Sequence, residues 1–174
     1  MAEVNYKLGD VDAAIKTLVQ AEPSLRPTEK YDLHFIKGKC YDKQRQFKRA
    51  VMEYGQALEV ATDNGMDQEK IGQLTFRIGW SIIRTKDEVE TGIERLKKAN
   101  EMLPDNPEVM LKLSGVLFQE SGTEQDIEQS QQLLDRVIEI DPNNADAYLL
   151  KGKILHKLMQ FPEAIQALEK AIAI

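Results

Sequence analysis

Small residues recur along this chain at the spacing expected of stacked helix pairs. Gly38 is followed by Ala50 twelve residues later, then by Tyr54 and Ala57 at steps of four and three. Gly152 is followed by Ala164, Leu168 and Ala171 at the same steps, and Ala2 by Ala14, Leu18 and Ala21. Gly79, Gly92, Leu96 and Ala99 repeat the set with one extra residue after the glycine; Ser114, Ser130, Leu134 and Val137 do so with four. Steps of three and four lie on one face of a helix. The small residue twelve positions upstream belongs to a preceding helix. Where two backbones approach closely, a larger side chain would push the helices apart, and small residues are needed.

Helical periodicity carries the rest of the chain. It predicts helices over Asp12–Ala21, Leu33–Arg45, Phe47–Thr62, Glu69–Arg84, Glu90–Leu103, Glu108–Glu120, Asp126–Ile140, Ala145–Met159 and Pro162–Ile174. Strand-like alternation is missing. All six prolines fall between helices or in first turns, where proline is tolerated. Pro104 and Pro142 each stand five residues beyond the last member of their sets. The expectation is an all-α chain of antiparallel helix pairs.

These spacings resemble the tetratricopeptide repeat (TPR) family, whose unit of about 34 residues pairs two helices around such small positions. The resemblance covers nearly the whole chain. Its best matches are Gly38–Ala57 and Gly152–Ala171, the latter preceded by Asp141-Pro142-Asn143-Asn144. It implies a right-handed superhelical solenoid in which no repeat buries its apolar face alone. It divides residues 1–174, as one domain, into repeats over 1–30 (partial), 31–64, 72–106, 107–144 and 145–174 (partial). An insertion over 65–71 reads as a turn plus an added helical turn. Where the family has a leucine before the glycine, this chain has Lys37 and Lys151. Ser114 stands where glycine is usual, with Gly115 beside it to share the role, and a longer turn follows at 120–125. The partial end repeats, with no polar capping helix after Ile174, make the chain read as a piece of a longer array that can self-associate through bare ends.

The chemistry-bearing residues are sparse. Cys40, His34 and His156 do not form a metal-ligand set, and Cys40 and His34 lie on different helix faces. Cys40 reads as packing and His34 as a helix-packing histidine. The glycines are isolated within helices rather than gathered in a phosphate loop. No acid–base or nucleophilic motif is present. The reading is therefore of a chain that is not an enzyme, with no catalytic, cofactor-binding or metal-binding residues. A net charge of −6, from 29 acidic and 23 basic residues, disfavours a nucleic-acid-tracking surface. No apolar run is long enough for membrane insertion. One cysteine and no signal peptide point to an intracellular, cytoplasmic setting.

In the family, the first helix of each hairpin lines the concave surface. The resemblance therefore places Phe35, Lys39, Phe76, Arg77, Trp80, Arg84, Lys112, Phe118, Leu150 and Lys153 in a peptide-binding groove. Basic residues dominate there: Lys39, Lys43, Arg77, Arg84, Lys112, Lys153 and Lys157 against Asp32, Asp42, Glu108 and Asp146. A cationic groove with apolar side chains suits an acidic partner peptide or helix with apolar anchors. Trp80 is the residue expected to matter most. The lysine–asparagine clamp with which some relatives hold chaperone C-termini is not matched at Phe35, Ile36, Lys39 and Gln73. The expected function is a non-catalytic interaction scaffold or adaptor. The alternatives are a regulatory module of a larger enzyme and a helical-repeat RNA-associated protein.

Overall fold

A computed structural model describes residues 6, 7, 9–121 and 123–174; Ala2 of the first small-residue set and Gly122 of the long turn lie outside them. Among the described residues there are helices and turns and no strand. Two compact units divide the chain, Met1–Met102 and Leu103–Ile174.

In the first unit the helices are α1 (Val11–Ala21), α2 (Lys30–Lys43), α3 (Phe47–Asp63), α4 (Gln68–Thr85) and α5 (Val89–Met102). Short 3₁₀ turns at Glu22–Ser24 and Pro27–Glu29 join α1 to α2. In the second unit they are α6 (Pro107–Val116), α7 (Glu124–Ile140), α8 (Ala145–Lys157) and α9 (Phe161–Ala173). A π-helical turn, Leu117–Ser121, extends α6. The expected helices are thus present, with ends displaced by a few residues.

Local chemistry starts these helices. Asp10, Asp67, Asn106, Thr123 and Asn144 each accept a hydrogen bond from the backbone N–H three residues on, satisfying a donor the helix cannot. Pro107 follows Asn106 at the first helical position, where its fixed φ fits. Gly65 turns the chain at φ 59° before Asp67 caps α4, which runs 18 residues against 14 for α2. A second repeating device lies at the hairpin turns. Arg45, Lys86 and Met159 adopt left-handed backbone at φ 60°, 62° and 61°. Each stands seven residues after a small position: Gly38, Gly79 and Gly152.

The small positions do what their spacing suggests, with a refinement. A Cβ at Gly38 would sit 2.5 Å from the Tyr54 ring, and one at Gly152 would sit 2.7 Å from Leu168 Cγ. The large residue four beyond the second small position therefore lies over the glycine. Gly79 and Gly92 pack backbone on backbone, each Cβ position 3.0 Å from the other's carbonyl oxygen. Gly115 is different, because a Cβ there meets only Leu150 at 3.7 Å. The close approach in that hairpin belongs to Ser114 alone.

The first unit's core gathers Tyr31, Ala50, Tyr54, Ala57, Ala61, Leu74 and Ile78. The second unit's core is Met110, Leu134, Val137, Ala147 and Ile154, with Leu155, Ala164 and Ala167 under α9. Lys37, at the family's leucine position, is buried too. Its Nζ lies 2.8 Å from Glu53 Oε1, and His34 Nδ1 lies 2.8 Å from Glu53 Oε2. The same carboxylate thus holds both residues, and the packing role expected of His34 acquires a polar partner.

Candidate functional site

On the first unit, α2 presents an aromatic stack flanked by cations. Phe35 stacks on Tyr31 with centroids 5.9 Å apart, and its other neighbour is the Tyr54 ring at 6.1 Å. Both tyrosines are buried while Phe35 is half-buried. The Lys39 ammonium stands 5.7 Å from the Phe35 centroid and the Arg77 guanidinium 5.9 Å, within cation–π range. Lys39 and Lys43 also approach the Tyr6 ring, at 4.7 and 5.3 Å. Phe35 and Lys39 meet because residues four apart share a helix face; Arg77 comes from α4.

Asp42 braces this arrangement. It accepts hydrogen bonds from Tyr54 Oη at 3.0 Å and Ser81 Oγ at 2.8 Å, tying α2 to α3 and α4. Burial drives the Tyr54 phenol far above the ordinary tyrosine range, and the Asp42 charge adds to it. Burial also pushes the Cys40 thiol up, against the opposing pull of Lys39 and Lys43. Cys40 therefore stays a buried, protonated thiol, as packing requires.

The expected groove residues separate on inspection. Phe35, Lys39 and Arg77 come together. Trp80 is half-buried, one turn beyond Phe76 on α4. Phe76 is a correction: at 4% exposure it lies in the packed interior and cannot anchor a ligand. Its helix position gave no measure of how deeply its neighbours cover it. Arg84 stands apart from the stack, its guanidinium 4.0 Å over the Phe47 ring at the start of α3. In the second unit Lys112 is half-buried and Lys153 exposed. Phe118 and Leu150 both pack at the margin of that unit's core. The Lys157 ammonium lies 5.0 Å from the Phe118 ring.

Two features escaped the sequence reading. Tyr31 stacks on Phe35 and Tyr6 receives the Lys39 and Lys43 ammonium groups, yet neither lies at an expected groove position. The second is a cavity of about 490 Å³ at the α2–α3 turn, lined by Arg45, Gln46, Phe47, Lys48, Arg49, Arg84, Thr85 and Asp87. The run Lys43-Gln44-Arg45-Gln46-Phe47-Lys48-Arg49 was its signal in the sequence. No group of three or more potential metal ligands gathers among the described residues. No described helix is long and apolar enough to cross a membrane.

Tetratricopeptide-repeat family models match residues 31–64 and 133–166. The chain belongs to the tetratricopeptide-repeat family. Solved structures share its all-α solenoid fold. A crystal structure of MamA aligns with 99% of this TPR chain and 93% of its own, at 17% identity and TM-score 0.78. YrrB, described as a TPR protein with an unusual peptide-binding site, aligns with 99% and 81%, at 20% identity and TM-score 0.72. BtubC from P. vanneervenii aligns with 99% and 76%, at 16% identity and TM-score 0.79. Curated proteins provide no sequence match. TPR repeats are protein-interaction modules, and the TPR fold is in general a non-catalytic scaffold.

Proposed function

We propose that this TPR protein is a scaffold that holds a partner's peptide or helix against the α2 face of its first unit. The observation that carries the reading is the Tyr31–Phe35–Tyr54 stack with Lys39 and Arg77 over the half-exposed Phe35 ring. Two buried tyrosines and the Asp42 brace hold Phe35 in place, so little side-chain entropy is lost on binding. An apolar anchor can pack against Phe35 while acidic neighbours face Lys39 and Arg77. Trp80, half-buried on α4, adds a second aromatic of the type that dominates interface energetics. Lys112, Phe118, Leu150 and Lys153 offer a further, separate set of contacts on the second unit.

Photo-crosslinking in the source cell tests this. A benzoylphenylalanine at Lys39 should capture a discrete protein partner, and the yield should fall with Arg77→Glu in the same chain. The same probe at Met52, which is 69% exposed on α3, should capture little. Equal capture from both positions, or no effect of the Arg77 reversal, would sink the reading.

A further inference from the structure

We propose that the cavity at the α2–α3 turn binds the phosphate monoester of a phosphorylated serine or threonine carried by a partner protein. This site is distinct from the Phe35 stack, and the proposal does not depend on that stack binding anything. Four cations, Arg45, Lys48, Arg49 and Arg84, line it against one carboxylate, Asp87. That carboxylate is engaged by Lys48, 2.7 Å away. Among the described residues, no carboxylate lies within ion-pair distance of Arg45, Arg49 or Arg84. The surplus of positive charge stands in a chain whose net charge is −6.

Two of the three arginines are held by neutral groups. The Arg84 guanidinium lies over Phe47, 4.0 Å from the ring centroid, and Arg49 donates to Gln46 Oε1 at 2.8 Å with its guanidinium 5.7 Å from the Tyr41 ring. Stacking on a ring orients a guanidinium without consuming its N–H donors. Arg49 spends one of its five donors on Gln46. These two guanidiniums, with Arg45 beside them, suit a dianion with three acceptor oxygens, which takes paired N–H···O contacts from more than one arginine. A carboxylate carries one charge and two oxygens and would leave part of that cluster unmatched.

The size and surroundings favour a phosphorylated side chain over free phosphate. The site is open to solvent, which leaves room for the chain that carries a phosphorylated side chain. It adjoins a depression of about 220 Å³ that shares Lys48, Thr85 and Asp87 and adds Val51, Ile82 and one further carboxylate, Glu88, on the side away from the three arginines. A segment with an apolar residue beside the phosphorylated one can lay that residue against Val51 and Ile82, a contact that inorganic phosphate cannot make.

The test is an NMR titration of the whole chain with acetyl-phosphoserine-leucine-amide, its unphosphorylated form and inorganic phosphate. The phosphopeptide should give saturable shifts at the amides of Arg45–Arg49 and Arg84–Asp87. It should bind about tenfold more tightly than inorganic phosphate, and the unphosphorylated form should not bind. Arg84→Gln and Arg49→Gln should each weaken binding by about tenfold, the scale of one lost charge-assisted contact. Lys170→Gln, on the second unit, should change nothing. Arg45→Gln, at an exposed turn residue, is the variant to read should Arg84→Gln disturb the spectrum broadly. The proposal is overturned if no saturable shift appears at those amides, if the unphosphorylated peptide binds as well, or if the cavity arginines can be replaced without effect. Equal affinity for inorganic phosphate overturns it as well.

Discussion

The hydroxyls of Ser114 and Ser130 face each other 2.7 Å apart across the α6–α7 hairpin, and each lies within 3.0 Å of the other's backbone carbonyl oxygen. Two protons are shared among three contacts in a site with no exposure to water. The pair replaces the glycine and alanine of other hairpins, substituting hydrogen bonds for bare contact. Ser114→Ala or Ser130→Ala alone removes the hydroxyl–hydroxyl contact and one hydroxyl–carbonyl hydrogen bond, while the remaining hydroxyl still donates to the opposite backbone carbonyl, and should cost about 1 kcal/mol. The double variant Ser114→Ala with Ser130→Ala removes both hydroxyls and should cost less than the two single losses summed, because the hydroxyl–hydroxyl contact is lost once and not twice. Urea unfolding of the four proteins measures the coupling.

Glycines in this chain differ in what an added methyl group meets. At Gly38 it strikes the Tyr54 ring, so Gly38→Ala should destabilise by about 1–3 kcal/mol. Gly55, inside α3, has nothing within 4 Å of the added atom. Gly55→Ala should therefore stabilise by about 0.5–1 kcal/mol, through helix propensity. The left-handed turn residues run the other way: Met159→Gly should stabilise by about 1 kcal/mol, relieving the Cβ strain at φ 61°. Thermal melts of the three variants should rank accordingly.

The Lys37–Glu53–His34 group is almost dry, with the Lys37 and Glu53 side chains 10% and 13% exposed. Glu53→Gln leaves the buried Lys37 ammonium with only the more exposed Glu22 carboxylate, 3.8 Å away, and should cost about 2–3 kcal/mol. Replacing Lys37 and Glu53 together by leucine removes both charges, and restores at position 37 the residue the family uses. The double variant should recover most of that loss in chemical denaturation. A double variant as unstable as Glu53→Gln would mean that packing, not unpaired charge, sets the cost.

Stability should fall in alkali, for a reason that names two residues. The fold keeps the Tyr54 phenol and the Cys40 thiol protonated, burial being the first cause for both. Ordinary values are about 10 and about 9, so the unfolded chain loses these protons first as pH rises. The stabilisation is complete below those values and is lost above them. Urea midpoints should decline between about pH 9 and 11. Tyr54→Phe should lose about 1 kcal/mol at neutral pH with the Asp42 hydrogen bond, and should show a shallower alkaline decline.

Helices, hairpins and small positions were legible because each rests on local rules: a 3.6-residue period, proline placement, and size at a crossing. The left-handed turns were not, since Arg45, Lys86 and Met159 lack the glycine or asparagine that normally announces such backbone. Burial also escaped local rules. Phe76 and Trp80 are four apart on α4, yet the first is packed inside and the second half-open, and only the neighbouring helices decide that. Arg84 shares a helix with Arg77 but belongs to a different cluster, because α3 begins beside its end. The basic cavity needed Arg84 brought to a run some 35 residues earlier in the chain, which no spacing rule encodes.

Helix α9 has two faces of opposite consequence. Ala164 and Ala167 are buried with Leu155 of α8, while Phe161, Ile165, Ile172 and Ile174 are 46%, 56%, 85% and 47% exposed. Ile165 and Ile172 are seven residues apart, two turns along one stripe. Contiguous exposed apolar surface of this kind seeks a partner. Covering two isoleucines contributes a few kcal/mol at about 25 cal/mol per Å², enough for weak self-association and little more. Sedimentation velocity over a hundredfold range of concentration should show the weight-average coefficient rising. Ile165→Lys with Ile172→Lys should abolish the rise without lowering the melting temperature, because neither side chain supports the core. A monomer at every concentration, or association that survives both lysines, would remove this face from consideration.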